Sequence, residues 1–138
     1  TVPAPWCAAW VQLCAHEAAT LHGLRNPLAD VVRKALVLDY YTWAQERGYL
    51  IPPDQVDRGD LVMFDFPANS RTWDHIGFVL EPPGPDGRFR AIEGNTDAAG
   101  GREGIEVAVK ERVVSDRVAF ARWDEGIVYV PAKHSPRE

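Results

Sequence analysis

A cysteine stands near the start of the chain in Pro5-Trp6-Cys7-Ala8-Ala9-Trp10-Val11, and its chemistry depends on the local structure around it. Pro5 suits a first helical position, because its missing N–H would have had no partner there and its fixed φ is already helical. Ala8, Ala9, Val11, Leu13, Cys14, Ala18 and Leu21 then recur as a helical apolar stripe. Cys7 is thus expected in the first turn of a helix, where unpaired N–H groups and aligned peptide dipoles favour the thiolate, the form that attacks. A lone cysteine in an Ala-rich helix is ordinarily a small buried hydrophobe. Reading it as a nucleophile therefore requires a base.

A thiol nucleophile needs an imidazole within hydrogen-bond reach, and that imidazole needs an acceptor to fix its tautomer and stabilise its charged form. Four histidines compete. His16 and His22 share the first helix with Cys7, about 13 Å and about 22 Å away along its axis. His134 lies in a polar tail. His75 opens a strand-like run, Asp74-His75-Ile76-Gly77-Phe78-Val79, and is the candidate base. For the acceptor, Ala91-Ile92-Glu93-Gly94-Asn95-Thr96 places Glu93 and Asn95 two residues apart, on one side of an extended chain. Gly94 between them would let a neighbouring group approach closely. Asp60 is a rival acceptor, although Gly59-Asp60 also suits a turn.

The elements that must position these groups change in kind along the chain. After the first helix, Gly23 and Pro27 punctuate; the spacing of Val31, Val32, Ala35 and Leu36 predicts a second helix over Leu28–Leu38, and Asp39 is placed to cap a third that runs to Gly48. From Asp57-Arg58-Gly59-Asp60 onward the apolar period becomes two. Strands are predicted over Leu61–Phe66, His75–Glu81, Arg88–Glu93, Ile105–Glu111, Val118–Trp123 and Ile127–Val130. Helices first and short strands after predict an α+β domain with N-terminal helices on an antiparallel sheet of five to six strands.

At 138 residues the chain is about one domain, long enough to bury roughly two thirds of its unfolded surface without a disulfide or metal. The domain is expected to span residues 1–131, with 132–138 as a tail or linker. The apolar share of 46% and net charge of −5 fit a soluble globular protein with no basic patch, which argues against nucleic acid as a partner. No apolar run reaches the length of a membrane span, and no signal peptide is visible. Cys7 and Cys14, about 10 Å apart on one helix, are too distant to bridge.

Taken in order, Trp6-Cys7-Ala8-Ala9-Trp10-Val11, Arg58-Gly59-Asp60-Leu61-Val62-Met63-Phe64, His75-Ile76-Gly77-Phe78-Val79 and Ile92-Glu93-Gly94-Asn95-Thr96 resemble the CHAP domain of cysteine-dependent amidohydrolases and peptidases, within the wider NlpC/P60, papain-like group. The resemblance spans roughly residues 5 to 124 and implies an α+β papain-like fold. It also implies cleavage of an amide bond in bacterial peptidoglycan, by an N-acetylmuramoyl-L-alanine amidase or a stem or cross-bridge endopeptidase of the endolysin or autolysin kind. By position, Cys7 matches the nucleophile, His75 the base, Glu93 the orienting acid and Asn95 the further polar member. The expected site of action is the extracytoplasmic wall, and the expected form is a monomer, with room for fusion to a wall-binding domain.

The sequence departs from the family pattern at Trp6, where many relatives carry a polar residue that helps hold the oxyanion. The acidic calcium-binding loop that some relatives carry upstream of the cysteine has no counterpart here, so no cofactor or metal is expected. Trp6 and Trp73 are the candidate substrate contacts, Trp73 because it lies in a polar loop two residues before His75. A protease or toxin of the same fold acting on another substrate, a non-catalytic wall-peptide binding module, and a thiol redox or zinc protein are the alternatives. The last needs clustered ligands beyond Cys7 and Cys14.

Overall fold

The computed structural model describes residues 6–66, 73–95, 106–126 and 128–129. The expected helix-starting Pro5, the domain end at 131 and the tail at 132–138 lie outside the described residues. Helix α1 covers Trp6–Leu21, so Cys7 falls in its first turn. Its buried residues are Cys7, Ala8, Val11, Ala15 and Ala19, a stripe repeating every three to four positions that includes the cysteine itself. Leu13 and Leu21, expected on that stripe, are exposed. Small side chains on the inner side let the helix approach the sheet closely.

The second helix expected over Leu28–Leu38 does not form. Asn26 caps a single 3-10 turn over Pro27–Asp30 by accepting from the Leu28 N–H, and Val31 is already extended. The Asp39 carboxylate then accepts from the Arg33 backbone N–H and from its guanidinium, a local side-chain bond that competes with helix. Helix α2 runs instead over Val37–Arg47 and ends at Gly48 in the left-handed region. Val32 is 84% exposed, so the apolar spacing that suggested a helix does not mark a buried side.

The strands among the described residues are, in chain order, β1 (Leu24–Arg25, before α2), β2 (Leu50–Ile51), β3 (Leu61–Phe64), β4 (His75–Glu81), β5 (Arg88–Asn95), β6 (Glu106–Val113), β7 (Val118–Ala121) and β8 (Val128–Tyr129). Six form one antiparallel sheet ordered β2-β7-β3-β4-β5-β6, and β1 pairs with β8 separately. The sixth strand of the sheet is therefore β2, and the last predicted strand belongs elsewhere. The molecule is α+β, with helices on an antiparallel sheet.

Both sides of that sheet are apolar. On one, Cys7, Ala8, Val11 and Ala15 of α1 and Tyr40, Trp43 and Ala44 of α2 join Leu61, Met63, Ile76 and Ala121. On the other, Val62, Phe64, Val79, Phe89, Ala91 and Phe120 form a second cluster, which is why all four residues of β3 are buried. The sheet is also strongly coiled. Arg112 of β6 lies 4.8 Å from the ring centre of Phe64, although β5 and β4 separate their strands. Among the described residues no helix is long and apolar enough to cross a membrane.

Candidate active site

Strand alternation puts His75 on the side of the sheet that carries Phe64 and Phe89, while α1 covers the other side. His75 nevertheless lies close enough to Cys7 for the sulfur to act on the ring's titration. It is the first residue of β4, and α1 packs across β4 and β5, so the strand's leading end comes up beside the helix's first turn. The His75 ring then turns its Nε2 to Glu93 Oε1 at 2.7 Å. With that nitrogen engaged, Nδ1 is the ring atom left for the sulfur. The ring is flanked by Phe64 and Phe66, each with centres 5.6 Å away.

The three groups are nearly sealed from water: Cys7 is 4% exposed, His75 9% and Glu93 not at all. Burial pushes the His75 ring toward its neutral form, but hydrogen bonds to Cys7 and Glu93, together with their charges, outweigh it and raise the ring to about 9. Glu93 shows the opposite balance. Burial pushes its carboxyl up, while hydrogen bonds and charge from His75 and Arg112 hold it below the usual carboxylate range. The arrangement favours an imidazolium beside the Glu93 carboxylate.

Two glycines make room for this packing. A Cβ on Gly77 would lie 2.8 Å from Glu93 Cγ and 2.7 Å from the Ile92 carbonyl oxygen, both closer than real Cβ atoms come, so β4 must carry glycine where the Glu93 side chain crosses it. A Cβ on Gly94 would meet the Trp6 ring at 2.7 Å and Trp10 at 3.0 Å, so the close approach expected at Gly94 is that of two indoles from α1.

Asn95 ends β5 opposite Glu106, and its side chain lies outside the described residues. Trp6 packs on Gly94, and its buried indole N–H has no hydrogen-bond partner among the described residues. Trp73 is half-buried and stacks on Tyr41 with ring centres 4.6 Å apart. Asp60, the rival acceptor, accepts from the Asp57 N–H and is held twice by Arg122; it organises the turn before β3. Both cysteines are free thiols, and burial, with Glu17 nearby, pushes Cys14 up and keeps it protonated. Among the described residues there is no group of three or more metal-ligating side chains.

Arg112 is the neighbour that sequence reasoning missed. Its Nε donates to Glu93 Oε2 at 2.9 Å and its Nη2 to Oε1 at 2.6 Å. Register places Arg112 opposite Phe89, whereas Glu93 faces Ala108, so pairing alone would keep them apart. Coiling of the sheet brings them together, and the only sequence signal is an arginine on the inward-facing set of a strand that otherwise reads as solvated. No family model, curated protein or solved structure matches the chain, so what can be said of this site rests on its residues and their geometry.

Proposed function

We propose that the chain is a cysteine-dependent amidohydrolase or peptidase with a papain-like fold of the CHAP kind, and that its substrate is an amide bond of bacterial peptidoglycan. The observation that carries the reading is the imidazole of His75, hydrogen-bonded to Glu93 and near enough to Cys7 for the sulfur to act on its titration, in a largely buried site. The wall substrate rests on the resemblance of the four motifs.

In this mechanism the Cys7 thiolate attacks the amide carbon, a C–S bond forms, and the carbonyl electron pair moves onto oxygen. The backbone N–H of Cys7, in the first turn of α1, offers the oxyanion a donor. Collapse re-forms the carbonyl and breaks the C–N bond, with the His75 proton passing to the departing nitrogen. Water then gives a proton to His75 and attacks the thioester. The C–S bond breaks, the carboxylic acid leaves, and the thiolate–imidazolium pair is restored. Glu93 keeps the ring aligned throughout.

The test is digestion of purified peptidoglycan followed by mass spectrometry of the fragments. New N-terminal L-Ala with intact glycan identifies an amidase, and a cut inside the stem or cross-bridge identifies an endopeptidase. Wall clearing by a folded Cys7→Ala protein would falsify the assignment. Hydrolysis of unrelated peptides with walls left intact would move the reading to a protease of the same fold.

A further inference from the structure

We propose that Arg112 is a positioning residue that acts through Glu93, holding its carboxylate charged and fixed while the charge on His75 comes and goes. The proposal deepens the hydrolase reading and rests on it in taking Cys7 and His75 as the reacting pair.

Glu93 has no exposed surface. A carboxylate removed from water in this way stays ionised only if cations and donors compensate it. His75 can compensate it for only part of a turnover, because the ring gives up its proton to the leaving nitrogen and is then neutral. A Glu93 held by His75 alone would at that moment be an unpaired buried anion, inclined to take a proton and to turn away. A guanidinium keeps its charge through the cycle. Arg112 engages both carboxylate oxygens in a two-pronged grip, at 2.9 Å and 2.6 Å. Oε1 is shared between Arg112 and His75, so the carboxylate keeps one orientation whether the imidazole is charged or neutral.

The guanidinium is itself fixed. It lies 4.8 Å from the centre of Phe64 and 5.5 Å from that of Phe66, the same two rings that flank His75. One aromatic pair therefore positions both cations that meet Glu93. The charged groups acting on Glu93 are His75 from β4 and Arg112 from β6. Lys110 shares that side of β6, opposite Ala91; β3 presents the apolar Phe64; α1 contributes Cys7, which acts on His75, and Asp74 precedes the histidine in the chain.

The experiment reads the thiol directly and needs no substrate. In a Cys14→Ser background, the iodoacetamide alkylation rate of Cys7 is followed from about pH 4 to about pH 9. The proteins compared are the background itself, Arg112→Gln, Arg112→Lys, Glu93→Gln and the Glu93→Gln/Arg112→Gln double variant. Arg112→Gln is expected to move the acid limb up by about one pH unit, since the buried carboxyl then protonates more readily and supports the imidazolium less. Arg112→Lys should recover part of that shift, and adding Arg112→Gln to Glu93→Gln should change nothing further. An acid limb unmoved by Arg112→Gln, or two effects that simply add, overturns the proposal. Arg112 borders an open pocket of about 380 Å³, so the shorter side chain opens wet space. Should Arg112→Gln still fail to fold, Arg112→Lys takes its place in the cycle, with a smaller upward shift expected and none overturning. His75→Ala is the control for the site itself: an unchanged profile there would mean that Cys7 and His75 are not a pair, a failure distinct from that of Arg112.

Discussion

Gly77 of β4 lies directly beneath the side chain of Glu93 on β5, so close that a single added methyl would stand 2.8 Å from Glu93 Cγ. The contact with the Ile92 carbonyl at 2.7 Å is to backbone, which cannot swing aside as a side chain can. The orientation of the buried acid thus depends on a residue that carries no chemistry.

Gly77→Ala should therefore displace Glu93 and with it the His75 ring. Misplacing a catalytic group by about 1 Å costs on the order of 100-fold in rate, and overpacking costs about 1–3 kcal/mol of stability. Wall-lysis rate and thermal unfolding on the same preparation check both. Full activity in Gly77→Ala would mean that the acid's position is immaterial.

Cys7→Ala is expected to lose all turnover and to keep its circular dichroism spectrum. Cys7 packs among Ala8, Val11 and Ile76, and alanine replaces a small side chain by a smaller one, so about 1 kcal/mol or less of stability should be lost.

Stability should depend on pH through both partners, in opposite directions. His75 is raised in the folded state to about 9, so its contribution is fully present below the ordinary histidine value and is lost as pH rises from about 6.5 to about 9, by up to about 3 kcal/mol. Glu93 is held low, so its contribution is present above the ordinary glutamate value and disappears as pH falls below it. Urea unfolding across this range should show stability declining on both sides, and His75→Gln should remove the alkaline decline.

Asp60→Ala should separate architecture from chemistry. Asp60 is 4% exposed and accepts two hydrogen bonds from Arg122 and one from the Asp57 N–H. Removing it should cost about 2 kcal/mol or more, while the alkylation profile of Cys7 stays as it was. A shifted profile would restore Asp60 as an acceptor for the histidine.

How much of this was legible in the sequence differs from element to element. The bounds of β4 follow from its alternation and match residue for residue, His75–Glu81. The second helix failed because Val31, Val32, Ala35 and Leu36 have helical spacing but no shared buried side, and Asp39 turns back to bond Arg33. The two-residue strands β1 and β2 are too short to carry a period at all. Their pairing exists only because β8 and β7 lie beside them.

By itself the sequence determined where the candidate groups stand: a thiol in a helix's first turn, a histidine opening a strand, and an acid near the exit of the next are local facts, set by spacing and punctuation within a few residues. What the tertiary structure alone decided is which of these groups meet, and on what terms. The coiling of the sheet brings Arg112 along the β5–β6 pair to Glu93 and over the Phe64 ring two strands away, and the missing Cβ at Gly77 lets that acid pass toward His75. Both depend on which strands pair and how the six-stranded sheet curves, properties of the whole assembly that no stretch of chain encodes on its own.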